Sequence, residues 1–188
     1  MARRSITVTL LAMVAMIGVP TLRAADKAAL GSVEAGCGPP AEHFTSRPVH
    51  SNGEIEAPPP GKARVYIIDP EPVLWGGAIT LAVGVDGHWA GALRGRTQFS
   101  LVLDPGEHHV CVRTERWKIP GHGAVGDSTG LLDLSLDAGQ TAYLVTHVEG
   151  KMLDEYDSID VVRIWQTNVD EGKLLVSSAA LSKTWRRH

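Results

Sequence analysis

The chain has 188 residues, and its 18 lysines and arginines against 21 aspartates and glutamates give a formal net charge of −3 at pH 7. This acidic balance argues against a nucleic-acid-binding domain, which requires a concentrated basic surface. Two cysteines are too few for a disulfide-rich scaffold, and in an exported chain they most simply form one disulfide. The length fits a leader followed by one domain.

The N-terminal segment has the parts of a secretory signal peptide in the expected order. Residues 1–4 are basic, residues 6–19 form an apolar run, and a proline and the small residue Ala24 follow. The run is shorter than the roughly 20 apolar residues that a membrane-spanning helix needs. We therefore predict a signal peptide over residues 1–24, cleavage between Ala24 and Ala25, and no transmembrane segment afterwards. The general secretory route is the simpler path, and the arginine pair leaves the twin-arginine route open.

Residues 25–60 are predicted to form an extended leader that is rich in proline and glycine. The proline run at residues 58–60 favours polyproline II and excludes a helix. Phe44 and Val49 are the apolar residues of this segment that could dock on a sheet. A disordered linker is the alternative, but Cys37 indicates that the segment is tied to the rest of the molecule.

Beyond residue 61 the apolar residues follow the two-residue period of short β-strands. Asp86 and Gly87, between two such stretches, predict a tight hairpin turn, because both positions favour positive φ. Asp170 can cap a short helix through residues 173–176. The predicted strands are residues 63–68, 79–85, 88–93, 97–103, 107–113, 131–136, 141–148 and 159–166.

These elements predict a mostly β domain over residues 61–185. No helix is predicted between strands, so a parallel sheet with crossover helices is excluded as the main architecture. About seven short strands separated by turns are typical of an antiparallel β-sandwich of the immunoglobulin-like or prealbumin-like type. A short C-terminal helix completes the predicted fold.

Several short motifs follow one another in a recognisable order. They are Cys37-Gly38-Pro39 with Phe44, residues 61–66 (GKARVY), Val85-Asp86-Gly87, residues 105–111 (PGEHHVC), residues 136–143 (LDAGQTAY) and residues 170–173 (DEGK). In this order they resemble the bacterial secreted family catalogued as domain of unknown function 2846, and also the PEGA-type envelope domains. The resemblance implies an immunoglobulin-like or prealbumin-like sandwich and an envelope location. It implies no known activity and carries over no catalytic residue, and this chain departs from it in a longer glycine-rich loop around Trp117.

The chain's 8 histidines direct attention to metal binding. His109 and Cys111 share one face of a predicted strand, where they could ligate copper or zinc. A disulfide at Cys111 would remove its thiolate, and the chain has no H-x-x-x-H or C-x-x-C spacing. The G-x-G-x-x-G stretch at residues 121–126 does not precede a predicted helix, so it does not indicate a dinucleotide site. The sequence therefore predicts no metal site and no cofactor.

The chain shows no pattern for nucleophilic catalysis. It has no G-x-S-x-G motif, and neither cysteine is predicted to be free. Asp154, Glu155 and Asp157 lie in one turn that could bind calcium weakly, although a solvated acidic turn is the simpler interpretation. We predict that the protein is not an enzyme.

The chain contains 5 tryptophans but only 2 phenylalanines and 3 tyrosines. Trp75 and Trp117 lie in or beside loops, where exposed tryptophans stack on sugars or anchor partners. Together with His122 they are the candidate partner-binding residues. Trp89 and Trp165 lie within strands and are predicted to pack in the core or on a sheet face.

These observations predict an exported protein, periplasmic or secreted, that binds an envelope protein or a glycan without catalysing a reaction. One alternative is an enzyme or metal-binding protein of undescribed type that uses exposed histidines such as His109 or His122. A passive structural protein of the envelope is the other alternative. No nucleic-acid partner is predicted, because the chain is acidic.

The two cysteines are predicted to form a disulfide, because they are the only pair in the chain. Alternation along the strand places Cys111 on the face opposite Val110 and Val112. If those valines point into the sandwich, Cys111 points outward, where the leader can cross and bring Cys37 to it. Free thiols, or a Cys37 used for anchoring, are the alternatives.

Overall fold

The computed structural model describes residues 36–50, 53–72, 79–115, 128–152 and 158–187. The predicted signal peptide, with its cleavage site between Ala24 and Ala25, lies outside these residues. The predicted partner-binding residues and the acidic turn also lie outside them, namely Trp75, Trp117, His122, Asp154, Glu155 and Asp157.

The described residues form ten strands and one helix. The strands are β1 (His43–Val49), β2 (Ala63–Asp69), β3 (Leu81–Val85), β4 (His88–Leu93), β5 (Thr97–Leu103), β6 (Gly106–Thr114), β7 (Thr129–Leu136), β8 (Thr141–Met152), β9 (Ser158–Thr167) and β10 (Ala180–Arg187). The helix α1 (Val169–Ser178) lies between β9 and β10. One sheet has six strands in the order β1-β10-β5-β2-β8-β9, and the other has four in the order β4-β3-β6-β7.

The two sheets pack face to face around one apolar core, to which both contribute alternate residues. Its fully buried members include Val65, Val83, Val112 and Leu144. A second cluster lies on the outer face of the six-stranded sheet, where α1 covers β2 and β8. There Tyr66 and Tyr143 stack with ring centroids 5.6 Å apart, beside Val176 of the helix. Because β2 is covered on both sides, all seven of its residues are buried.

The prediction of a mostly β sandwich with a short C-terminal helix is confirmed, but the described strands number ten rather than about seven. The two strands without a predicted counterpart are β1, within the predicted leader, and β10 at the C-terminal end. They pair antiparallel with each other, and β10 also pairs parallel to β5. Both carry polar or charged residues at most positions, because one of their faces is open to solvent. The segment predicted as a leader therefore supplies an edge strand.

Two details of the predicted fold are wrong. The helix α1 does lie between two strands, and the six-stranded sheet contains a second parallel pair, β2 with β8. The N-cap of α1 is Asn168 rather than Asp170, since the Asn168 side chain accepts a 2.9 Å hydrogen bond from the Glu171 N–H. Asp170 lies in the first turn of the helix, where the helix dipole stabilises its negative charge. The predicted hairpin turn at Asp86 and Gly87 forms, with φ of 50° and 80°.

Residues 36–42, here called the strap, cross the outer face of the four-stranded sheet. The structure joins Cys37 of the strap to Cys111 of β6, with Cα atoms 5.1 Å apart, so the predicted pair lies at disulfide distance. Val110 and Val112 point into the core, and Cys111 points outward under the strap, as alternation predicts. A Cβ on Gly84 would lie 2.7 Å from the Gly36 carbonyl oxygen, so only glycine lets the strap approach β3 this closely.

The free edge of β4 is covered by side chains of β10. The Ala92 N–H donates to the Thr184 hydroxyl at 2.9 Å, and the Ser182 hydroxyl donates to the Ala92 carbonyl at 2.5 Å. Ser182 also contacts the buried Ser46 of β1. These hydroxyl contacts join the two sheets along one side and satisfy backbone groups that would otherwise form an open edge. Within the described ranges, no helix is long and apolar enough to cross a membrane.

Candidate functional site

His109 and Cys111, which share one face of β6, do not form a metal pair in the structure. The Cys111 sulfur is bonded to Cys37, which removes it as a ligand. His109 lies at the surface, and its Nδ1 is 2.8 Å from the Asp133 carboxylate. Among the residues that the structure describes, no three histidine, cysteine, aspartate or glutamate side chains are grouped to hold a metal ion.

The two strand tryptophans differ from each other. Trp89 lies on the outer face of the four-stranded sheet, and its indole N–H donates to the Pro39 carbonyl at 2.9 Å. Its ring meets Phe44 edge to face, with centroids 5.7 Å apart, so the predicted sheet-face packing of Trp89 and docking of Phe44 are both observed. Trp165 is 42% exposed, so it does not lie in the core, and its side chain is only partly covered on a face of the sheet. It lies on an edge strand, β9, where only β8 pairs with it in the sheet.

A charged cluster with Arg113 at its centre lies beneath the end of the strap. The Arg113 guanidinium lies 4.5 Å from the Trp89 ring centroid. It donates to the Glu42 carbonyl at 2.7 Å and to the Glu115 carboxylate at 3.1 Å. The Glu115 side chain is 1% exposed and also contacts His43 at 2.9 Å. We call Arg113, Trp89, Glu42, Glu115 and His43 the strap cluster. Each buried charge in the strap cluster has an opposite charge or a backbone carbonyl as its partner.

His108, beside the hairpin turn at Asp86 and Gly87, is a second charged side chain with hydrogen-bond partners of its own. Its Nδ1 lies 2.7 Å from the Asp86 carboxylate, and its Nε2 lies 2.8 Å from the Asp104 carbonyl. Both partners can only accept hydrogen bonds, so both ring nitrogens donate and the imidazole carries a proton on each. Burial acts to lower the pKa of His108, but the hydrogen bonds and the nearby carboxylates outweigh it and raise that pKa. The pKa of Asp86 is lowered in turn: its burial is outweighed by hydrogen bonds from His108 and His109.

The outer face of β1 and β10 has a different character. Phe44 and Ser46 of β1 are buried toward β4, and Ser182 and Thr184 of β10 bond to β4. Alternation then turns the intervening side chains outward. This outward set, here called the terminal face, consists of Thr45, Arg47, Val49, Leu181, Lys183 and Trp185.

Cations flank an aromatic ring on the terminal face. Arg47 and Lys183 are direct cross-strand partners, and Trp185 is the next outward residue of β10. The Arg47 guanidinium lies 4.6 Å from the centroid of the Trp185 ring, and the Lys183 ammonium lies 5.8 Å from it. Neither cation forms an ion pair with any acidic residue in the described part of the chain. Like charges directly opposite each other destabilise a strand pair, and among the described residues only the contacts of the two cations with the Trp185 ring offset this repulsion.

A shallow groove of about 300 Å³ lies where α1 ends and β10 begins. It is lined by Pro70, Arg96, Leu175, Ser178 and Ala179. The Arg96 backbone is fixed at a φ of 47°, because its N–H donates to the Glu71 carbonyl at 2.8 Å and its carbonyl accepts from Ala180. Its side chain is exposed and forms no ion pair with the residues that the structure describes. Arg96 is therefore a third unpaired cation, placed beside the first residues of β10.

The turn that holds Arg96 depends on a buried carboxylate. Asp69 accepts hydrogen bonds from the backbone N–H groups of Gly95 at 2.8 Å and Glu71 at 3.1 Å. Burial raises the pKa of Asp69 to about 6, although these two hydrogen bonds act in the opposite direction. The carboxylate therefore fixes the main chain of residues 94–96, and it presents no reactive group to the groove itself.

Sequence reasoning missed the terminal face and the groove. The last two residues of β10 are also paired, since Arg186 contacts Glu42 at 3.3 Å and Arg187 contacts Glu115 at 3.6 Å. Leu181, Lys183 and Trp185 alternate with the polar Ser182 and Thr184, and this two-residue period was the signal that could have identified β10 as a strand. Nothing in the sequence indicates that β1 pairs with β10, because that contact spans almost the whole chain.

No protein-family model matches the chain, and the curated proteins and the solved structures contain no match either. The resemblance to the secreted family and to the envelope domains therefore stays a prediction.

Proposed function

We propose that this protein is an exported binding module of the cell envelope that holds its partner on the terminal face and catalyses no reaction. The observation that carries the proposal is the pair of directly opposed cations, Arg47 and Lys183, beside Trp185. Two like charges in this register lower stability, and no carboxylate offsets them within the described ranges. A partner that supplies negative charge would give the arrangement a use.

The histidine alternative receives less support from the described geometry. His108 has both nitrogens occupied by acceptors, so it is not free to take up a proton from a substrate. His43 and His109 each contact a carboxylate, Glu115 and Asp133 respectively. Among the described residues, no serine or threonine hydroxyl contacts the imidazole of His43, His108 or His109, so these histidines are not paired with a hydroxyl nucleophile there.

Export is supported by two features. The N-terminal sequence has the order of a signal peptide, and the cysteine pair lies at disulfide distance, which is typical of an oxidising compartment. The strap that the disulfide fixes leads directly into β1. The bond would therefore hold one strand of the terminal face in place outside the cytoplasm.

The proposal is tested by comparing two charge variants in a binding assay. The immobilised protein is exposed to bacterial envelope material separated into protein, polysaccharide and lipid fractions, and saturable binding is measured. The Arg47→Gln/Lys183→Gln double variant should lose binding to whichever fraction the native protein retains. Arg163→Gln is the matched control, because Arg163 lies on β9 of the same sheet and is 64% exposed but pairs with Glu149.

Thermal melting decides how the result is interpreted. The double variant should melt within a few degrees of the native protein, because its side chains are exposed and unpaired. Binding that is equal in the native protein and the double variant would refute the terminal face as the binding surface. Native protein that retains nothing from any fraction would favour the passive structural alternative.

A further inference from the structure

The chemistry of the terminal face also defines the class of its partner. We infer that the terminal face binds an anionic polysaccharide, with Trp185 against a sugar ring and with Arg47 and Lys183 on its carboxylate or phosphate groups. This inference rests on the proposed function, since it names the partner of the same surface.

The layout of the face suits a chain of sugar rings. Side chains two residues apart on one strand are separated by about 7 Å, and direct cross-strand partners by about 5 Å. Trp185 therefore lies within one sugar ring's reach of both cations, which are themselves cross-strand partners. The apolar C–H face of a sugar packs on an indole ring, and the Arg47 guanidinium, which lies 4.6 Å from the Trp185 centroid, would move from the ring to a charged substituent of the sugar. Thr45, the cross-strand partner of Trp185, adds a hydroxyl that could bond to a sugar hydroxyl.

The charge on this side of the molecule favours a polyanion. The outward residues of β1 and β10 include no acidic side chain. Arg96, at the groove beside the start of β10, extends the unpaired positive charge along the strand. The chain as a whole carries a formal charge of −3, so this local excess of cations is set against an acidic background. An extended anionic chain could follow β10 from Trp185 past Lys183 to Arg96.

Two other anionic partners fit this face less well. Clusters of about four to eight basic residues are typical of proteins that bind anionic lipid, whereas Arg47, Lys183 and Arg96 are only three. An acidic peptide would add to the sheet through the backbone of β1, but Pro48 lies in that edge strand and cannot donate to a new ladder.

The test measures the affinity of the full exported protein for four probes of known chemistry. Polygalacturonate is the anionic glycan and dextran its neutral counterpart, while poly-glutamate and vesicles of phosphatidylglycerol represent the other anions. We expect saturable binding to polygalacturonate alone, weakened by salt. The Arg47→Gln/Lys183→Gln variant should bind it at least about tenfold more weakly, and Trp185→Leu about fivefold, with Arg163→Gln unchanged.

The outcomes test two things separately, namely the chemical class of the partner and the location of the binding surface. Binding to poly-glutamate or to the vesicles, lost in the double variant, would overturn the glycan and keep the terminal face. Binding to polygalacturonate that is equal in the double variant would overturn both. Loss in the double variant with full retention by Trp185→Leu would show that charge alone holds the polyanion, and it would overturn the sugar-stacking role of Trp185.

Discussion

Two arginine–tryptophan pairs in this molecule have nearly the same geometry but different surroundings. Arg113 lies 4.5 Å from the Trp89 ring centroid, and Arg47 lies 4.6 Å from that of Trp185. Arg113 also bonds to a buried carboxylate and to two carbonyls of the strap, whereas Arg47 has no such acceptor in the described chain. The contact between cation and ring is therefore common to both pairs and does not separate them. The presence or absence of a compensating negative charge distinguishes them.

Removing the disulfide should lower the free energy of unfolding more than any other change to the strap cluster. The reason is that the disulfide holds the strap, and the strap supplies the carbonyl groups that accept hydrogen bonds from Arg113. Replacing both Cys37 and Cys111 by serine releases a loop of 74 residues, which the chain-entropy model values at about 4 kcal/mol. We expect a fall of that size in the free energy of unfolding, measured by urea denaturation. Treatment of the native protein with a reductant should reproduce most of the fall. A loss below about 1 kcal/mol would mean that hydrogen bonds alone hold the strap.

Removing the carboxylate of the strap cluster should have the next largest effect. Glu115→Gln leaves Arg113 buried without its opposite charge, so we expect a loss of about 3 kcal/mol in the free energy of unfolding. Glu149→Gln is the control, since Glu149 is 55% exposed and pairs only with the exposed Arg163. That change should cost less than about 0.5 kcal/mol. Equal losses in the two variants would contradict the distinction between the two kinds of charge.

The pH dependence of stability tests the compensated charge of His108. Its pKa is raised in the folded protein above the ordinary 6.5, so its contribution is complete below that value and is lost as the pH rises through the folded pKa. We expect the gap in free energy of unfolding between native protein and His108→Gln to be larger near about pH 6 than near about pH 9. Asp86→Asn should remove the same dependence, because asparagine keeps the positive-φ turn but not the charge. A gap that does not change with pH would show that the imidazole is neutral.

The smallest expected effect belongs to the terminal face. Arg47→Gln removes a cation that is opposed to Lys183 and has no ion-pair partner among the described residues, so stability should stay within about 0.5 kcal/mol of the native value or rise slightly. Differential scanning calorimetry at low and high salt would check this. A loss above about 2 kcal/mol would show that Arg47 contributes as much as a buried group, which would remove the basis for calling the pair uncompensated.

The sequence was informative wherever a local rule decides the structure. The hairpin at Asp86 and Gly87 follows from two residues that accept positive φ, and the outward position of Cys111 follows from strand alternation. The pairing of β1 with β10 obeys no local rule, because its two strands come from opposite ends of the domain. The candidate site belongs to that pairing, so neither Arg47 beside Lys183 nor Arg96 beside β10 could be read from the sequence. A strand of mixed polarity with one open face has only a weak signature, which is why both terminal strands escaped prediction.

The pairing of β1 with β10 also sets the order in which the molecule can be completed. Within the six-stranded sheet, β1 is hydrogen-bonded only to β10, which follows it by more than 130 residues in the described chain. The edge of β4 is covered by hydroxyl groups of the same strand, β10. Until residues 180–187 are available, the six-stranded sheet lacks β10 and β1 has no partner strand, while the four-stranded sheet has an unprotected edge at β4. Contacts between such distant segments slow folding. Both sheets therefore depend on residues 180–187 for completion, so a loss of this one strand would be felt in the two sheets at once.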